Sequence, residues 1–446
     1  MHDHVIPNEI PHRYLPRSRR GTLLCAALVA VGLIAFILRL VTDPDRAWQA
    51  YVSNWLFFAG IAQGAIILAA ATTITKAKWD WPLRRVTLAF GAFLPIAFIL
   101  FLPMLTLGEN YFSWMHYMEH DEIVQKKAGY LNLPFLITRN VVGLLALFGL
   151  SLYFVYLGLR PDLGQVPASE YDDGGRRAWR ERLTANWAGR EREEVWSWRR
   201  MQALAPALVL VFAVVMSVVS IDYAMSLEPH WFSTLFPGWF FMGAFWGGIG
   251  AVAVGTVYLK AKDPIFDEHM SALQLHDLGK LVFAFSIFWM YLFWSQYIVI
   301  WYGKLPWEQE WMIHRAGAPW GTLSLLAILL CFVFPFAGLI GQRPKTNPRW
   351  LGAFTLLALI GLWLERYLLI APSLYDGGPT ITLWEPLIGL LFLGAFLWSV
   401  LWFLSTFPVL QIWQPMTAPE MVEAELAPSR DDTRVTERAS EGAHST

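Results

Sequence analysis

Ten times along this chain an apolar run continues for about 20 residues, the length of helix that crosses the hydrocarbon core of a bilayer. The runs cover approximately 21–40, 52–74, 86–107, 134–158, 203–226, 237–259, 278–300, 321–340, 350–370 and 383–407. Lipid offers no water to backbone N–H and C=O groups, so a spanning segment is a helix or a strand of a closed barrel, and these runs are too long for strands. Composition agrees: with 56% hydrophobic and 15% charged residues over 446 positions, the chain is too apolar for a soluble domain of its size. The expectation is an all-α integral membrane protein of ten transmembrane helices, with no soluble catalytic domain left over.

The first run follows an arginine-bearing leader but shows no small-residue cleavage site, which reads as a retained helix rather than a secretory signal. Lys and Arg crowd the leader and the connections after runs 2, 4, 6 and 8, which places both termini in the cytoplasm. That asymmetry needs no explanation beyond membrane insertion, and no basic surface suggests nucleic acid. Cys25 and Cys331 stand in different runs and form neither CxxC nor CxxCH, so the chain is expected to carry no c-type haem and no cysteine-ligated iron–sulfur cluster.

The runs repeat. WLFFAGIAQG in run 2 and GWFFMGAFWG in run 6 each set an aromatic cluster before two glycines four apart, Gly60 with Gly64 and Gly243 with Gly247. Such small-residue faces let helix backbones approach closely in lipid. Three runs later, run 5 carries Asp222-Tyr223 and then Ser226-Leu227, and run 9 carries Glu365-Arg366-Tyr367 and then Ser373-Leu374. This predicts two four-helix bundles, helices 2–5 and 6–9, flanked by helices 1 and 10. The domain boundaries are a cytoplasmic leader 1–20, helix 1 and its loop 21–50, a first bundle 51–227 with a cytoplasmic loop 160–200, a second bundle 228–374, helix 10 at 375–407 and a tail 408–446. The loop mixes Arg and Glu with Trp179, Trp187, Trp196 and Trp198, a pattern for a short interfacial helix or a plain solvated linker. The tail lacks apolar periodicity and reads as disordered.

Carboxylates inside a membrane span are expensive, which makes them functional candidates. Asp222 lies about a turn inside run 5, just before Glu228, His230 and Trp231. Arg139, Ser295, Gln296, Glu365 and Arg366 also fall in the outer third of their runs, so an ion pair or hydrogen-bonded pair is expected within each bundle. The alternative is a structural pair that fixes packing, or, for the arginines, a head group that snorkels to the surface. At the cytoplasmic start of run 7 stand His276, Asp277 and Lys280, and Tyr291 and Ser295 follow at helical spacing beyond Ala284 and Ile287. With water in the gap, that line forms a proton path toward Asp222 or Glu365; without it, the cluster is an ordinary helix end. All ten histidines fall at helix ends, in loops or near the termini, and the His116–His120 pair has no third ligand beside it, so neither integral haem nor a metal centre is expected.

SIDYAMSLEPHWFSTLFPGWFF and WSQYIVIWYGKLPWEQEWMIHR resemble signature segments of the membrane subunits of alternative complex III, a bacterial quinol:cytochrome c (or high-potential iron protein) oxidoreductase. Those subunits belong to the polysulfide-reductase membrane-subunit (NrfD-like) family, and the WYGKLPWEQ segment is most similar to the second of the two large ones. The resemblance runs from run 1 to run 10. It implies a bacterial inner-membrane protein that holds no redox centre itself. It also implies a homologous sister membrane subunit, an iron–sulfur subunit, multihaem cytochrome c subunits and a terminal oxidase as partners, with quinol, menaquinone being the expected one, as the substrate of the complex. Haem c and iron–sulfur clusters would sit in those partners. For this subunit the resemblance implies a proton-conducting or structural role rather than quinol oxidation itself, and the reading adopted is proton conduction coupled to quinol oxidation in the complex. One alternative is a working quinone site in which Asp222 takes a hydroxyl proton while Tyr223 or His230 holds the ring beside Trp231. A second is a secondary transporter, supported by the two repeats and by Pro95 and Pro335 as helix breakers, and a third is a scaffold with no proton role.

Overall fold

The computed structural model describes residues 6–7, 9–167, 174–375 and 381–414. Among the described residues ten helices are long and apolar enough to cross a membrane. They are α1 (Arg19–Thr42), α2 (Pro44–Ile74), α3 (Arg84–Thr106), α4 (Leu133–Gln165), α5 (Arg190–Leu227), α6 (Phe236–Lys262), α7 (Ala272–Gly303), α8 (Gly321–Leu339), α9 (Pro348–Leu374) and α10 (Trp384–Thr406).

Local chemistry sets where these helices begin. Asp43 precedes Pro44 and accepts from the Arg46 N–H; Asn132 accepts from the Phe135 N–H with Pro134 in the first turn; Asn347 accepts from the Arg349 N–H ahead of Pro348. Each side-chain oxygen satisfies an orphan N–H of the first turn, and proline there has no N–H to orphan. Ser271 and Gln274 form a reciprocal capping box at the start of α7. Prolines inside the spans bend the hydrogen-bond ladder without ending the helix. α3 tightens into 3-10 turns at Phe90–Phe93 and Leu102–Thr106 around Pro95 and Pro103, and α8 widens into a π turn at Leu329–Val333 ahead of Pro335.

α2 is the centre of the molecule and is buried over most of its length. It packs on α1, α3, α5, α6, α9 and α10. α4 lies along α5, and α3 touches α2 and α4; on the other side α6 packs on α7 and α9, and α8 lies against α7 and α9. The two groups meet where α2 crosses α6. There a Cβ on Gly64 would overlap the Ala244 carbonyl, and one on Gly248 would overlap the backbone of Gly64 and Ala65. Close approach of backbones gives dispersion contact where no hydrophobic force acts between helices. α1 packs chiefly on α10, with Gly32 against Leu391 and Gly394 against Cys25 and Leu28.

The connection at 160–200 is shorter than its sequence suggests. α4 runs on through Arg160, Pro161 and Asp162, α5 begins at Arg190, and between them lies a helix at Gly174–Leu183. Arg160 makes a two-bond ion pair with Glu193 at 2.7 Å, which draws the two extensions together. The tryptophans serve the chain's own packing: Trp179 meets Trp402 and Phe407 edge-on, Trp198 is buried, and Trp187 covers Gly164. Both polar ends of the sequence also join the fold where they are described. Arg13 bonds Asp263 at 2.7 Å, the Val409 N–H donates to the Arg13 carbonyl, and the Leu15 N–H donates to the Leu404 carbonyl. Asp162 pairs with the fully buried Arg85 and accepts from the backbone N–H groups of Ile412 and Trp413 at 3.0 and 2.9 Å. The first part of the tail read as disordered, 408–414, therefore packs on the fold, and the rest, from 415 onward, lies outside the described residues.

Candidate functional site

The cap at Asn132 starts α4 so that Arg139 and Asn140 fall two turns in, facing the end of α5. Arg139 donates from Nε and Nη2 to the two carboxylate oxygens of Asp222, at 2.7 and 2.5 Å, and Asn140 Nδ2 adds a third bond at 2.5 Å. Nη1 of Arg139 reaches the Tyr130 carbonyl at 2.7 Å, and the guanidinium lies 3.7 Å from the Tyr130 ring centroid and 4.7 Å from that of Phe135. Asp222 is 0% exposed. A bidentate guanidinium plus an amide fills the strongest acceptor directions of the carboxyl group, and these partners also tie α4 to α5.

Tyr223 is buried beside Asp222, and its hydroxyl takes no hydrogen bond. His230 and Trp231 line a different space. His230 Nε2 lies 2.6 Å from Asp121 Oδ2, and Trp231 stacks on Trp311 at 4.3 Å with planes 9° apart. These two line a pocket of about 740 Å³ that neither Asp222 nor Tyr223 borders. The four residues of the alternative quinone site are therefore close in sequence without converging on one cavity.

Glu365 is built differently. It is buried on α9 beside Arg366, whose Nη1 donates to Oε1 at 3.2 Å and lies 3.1 Å from Oε2 without a hydrogen bond to it. Nη2 of Arg366 goes instead to the Phe240 carbonyl at 2.8 Å, passing Gly243, where a Cβ would crowd it. Glu365 borders a cavity of about 300 Å³ walled by Trp239, Trp289, Phe293 and Trp311, with Arg315 and Ser324 at its edge. Trp239 and Trp289, two of the lining residues, have buried indole N–H groups without an acceptor. Two donors and one acceptor without partners around one space are what ordered water or a polar ligand atom would satisfy. The π turn of α8 packs on α9 one turn from Glu365, with Gly361 against Leu330 and Cys331. Beyond the cavity, Arg315 donates to Glu228 at 2.9 Å and to Ser373 at 2.6 Å, so the 5–6 turn, the helix at Pro306–Ala316 and the end of α9 are joined in one knot. Burial pushes the Arg315 guanidinium below its ordinary value, and the Glu228 carboxylate opposes that.

The cluster at the start of α7 is present: Lys280 pairs with Asp277 at 2.6 Å, and His276 is half-buried beside them. The line drawn from it along the helix faces outward. Ala284 and Ile287 are exposed and Tyr291 is 61% exposed, whereas the buried face carries Val282, Ser286, Trp289 and Gln296. Ser295 lies between the two faces, half-buried. Helical spacing identifies residues that share a face but not which face turns inward, and α7 has aromatic residues on both. Sequence reasoning passed over Asn140 and Trp289, whose neutral side chains give no charge signal, and Arg85 with Asp162, which stand outside the apolar runs. No protein-family model matches the chain, and no curated protein matches it.

Proposed function

We propose that this chain is a membrane subunit of a bacterial respiratory quinol:cytochrome c (or high-potential iron protein) oxidoreductase of the alternative complex III kind. In this reading it holds no redox centre and passes protons across the inner membrane through Glu365 as partner subunits oxidise quinol. The ten spans and the two long segments that resemble that family's membrane subunits support the class. The observation that carries the proton role is the contrast between the acids: Asp222 is closed by three hydrogen bonds, whereas Glu365 keeps an oxygen free of hydrogen bonds and borders a cavity. A group that takes and releases a proton needs such an opening.

Toward the termini side, Thr256 on α6 and Thr355 on α9 are buried hydroxyls with no partner, and Ser286 lies on the buried face of α7. Thr355 is ten residues before Glu365, about 15 Å along a helix, so water bridges these steps. The proposed route from His276, Asp277 and Lys280 follows this inner face rather than Tyr291. The test is the purified complex in liposomes, with quinol oxidation and proton translocation followed together for Glu365→Gln and Asp222→Asn. Loss of proton movement alone in Glu365→Gln supports the role. Loss of both activities in an assembled complex points to a quinol site, and unchanged activities make Glu365 a packing residue.

A further inference from the structure

The pocket of about 740 Å³ lies on the membrane face opposite the termini, where connections 3–4, 5–6 and 7–8 meet. Its floor is apolar and comes partly from within a span: Ile221 and Met225 at the end of α5, with Leu131 beside them. Its rim carries large exposed hydrophobic side chains, Ile123, Phe232 at 55% and Trp307 at 52% exposure, at the level where aromatic residues mark the boundary between hydrocarbon and head groups.

The charges are one-sided. Lys126, Lys127 and His230 line the pocket, and no carboxylate does. Asp121, outside the lining, pairs with His230 and also acts on Lys127, which leaves the pocket a net positive charge carried by Lys126 and Lys127. Lys126 is exposed and makes no ion pair among the described residues. Lys127 spends one proton on the Pro229 carbonyl at 2.6 Å and lies 6.0 Å over the Phe232 ring, which leaves donors for an anion. Burial holds its ammonium below the ordinary lysine value, a penalty that an anion beside it would offset.

The geometry points to a binding site for one anionic phospholipid of the leaflet on that side, its phosphodiester between Lys126 and Lys127 and an acyl chain on Ile221, Met225 and Leu131. Lysines beside a lipid phosphate act as fixed point charges, while the apolar floor rewards a chain that a soluble phosphate lacks. A zwitterionic lipid is disfavoured because no carboxylate in the lining balances its ammonium group beside the two lysines.

The full chain in detergent is titrated with equal amounts of phosphatidylglycerol and phosphatidylcholine of identical acyl chains, and bound lipid is read by native mass spectrometry. Each lysine near an anionic lipid surface contributes about a five-fold preference, so the wild type should retain phosphatidylglycerol roughly 25-fold over phosphatidylcholine. Lys126→Gln with Lys127→Gln should bring the two to parity. Lys126→Glu alone, on an exposed side chain without an ion pair, should cut the preference at least five-fold and keeps the test open if Lys127 is needed for folding. Equal retention of both lipids by the wild type overturns the assignment, as does a preference that survives these substitutions. Displacement of phosphatidylglycerol by glycerol phosphate at comparable concentration would make this a soluble-anion site and also overturn it.

Discussion

Removing Arg139 should cost more than removing the acid it holds. Asp222 accepts three side-chain hydrogen bonds, two from Arg139 and one from Asn140, and is sealed from solvent. Arg139→Met deletes two of the three and the guanidinium itself, leaving the buried carboxyl group without its pair; breaking a buried pair this way costs about 3–5 kcal/mol. Asn140→Leu deletes one bond to a charged group, about 1.5–3 kcal/mol. Asp222→Asn is milder, about 1–2 kcal/mol, because the guanidinium keeps the Tyr130 carbonyl and two aromatic faces, and its head group snorkels toward the interface. The double variant Arg139→Met with Asp222→Asn should recover most of the Arg139→Met loss, giving a coupling energy opposite in sign to additivity. The assay is reversible denaturant unfolding of the full chain in mixed micelles, with the four forms in one cycle. An Arg139→Met cost below about 1 kcal/mol, or an additive double variant, would show that the closed geometry does not couple Arg139 to Asp222.

Three further outcomes follow from the packing. Gly248→Val should separate α2 from α6 and abolish the folded monomer in size-exclusion chromatography, whereas Gly238→Ala, with open space around its Cβ, should stay within about 0.5 kcal/mol of wild type. Trp413→Ala should lower stability by about 3–5 kcal/mol in the same unfolding assay, since the indole is fully buried and donates to the Gly158 carbonyl at 3.0 Å; Trp350→Ala, on an exposed ring, should not. The Asp121 carboxyl is held below its ordinary value, first by the His230 hydrogen bond and then by the Val124 and Ile123 N–H groups. A depressed acid contributes stability above its unfolded value near 3.9 and loses it as pH falls through the folded one, so hydrogen exchange over 119–127, corrected for intrinsic rate, should accelerate below about pH 4. Asp121→Asn should show that faster exchange already at neutral pH.

The spans were legible because an apolar run of the right length has few other solutions in lipid; their polar first turns were not, since α2, α5 and α7 begin at Pro44, Arg190 and Ala272, ahead of the runs at 52, 203 and 278. Pairing of Arg139 with Asp222 was legible as a need to compensate charge at equal depth. The inner face of α7 was not: Trp289 and Phe293 turn inward while Phe288, Tyr291 and Trp294 turn outward, and one hydropathy pattern serves both. Nor was the anchoring of the chain's ends, because Arg13 finds Asp263 and Trp413 finds Asp162 across about 250 residues with no local pattern to mark them.

The pairing of α1 with α10 constrains how the protein is made. α1 ends at Thr42 and its main neighbour begins at Trp384, so at about 5–20 residues per second the ribosome needs roughly 20 to 70 seconds to supply it. Over that interval the small-residue face at Gly32 meets lipid or an insertion factor instead of Leu391. The clasp of Arg13 with Val409 and Asp263 closes only after residue 409 has emerged. Emergence of α10 is thus the step that secures α1, and a chain truncated before α10 exposes an unfinished surface to the quality-control proteases of the membrane.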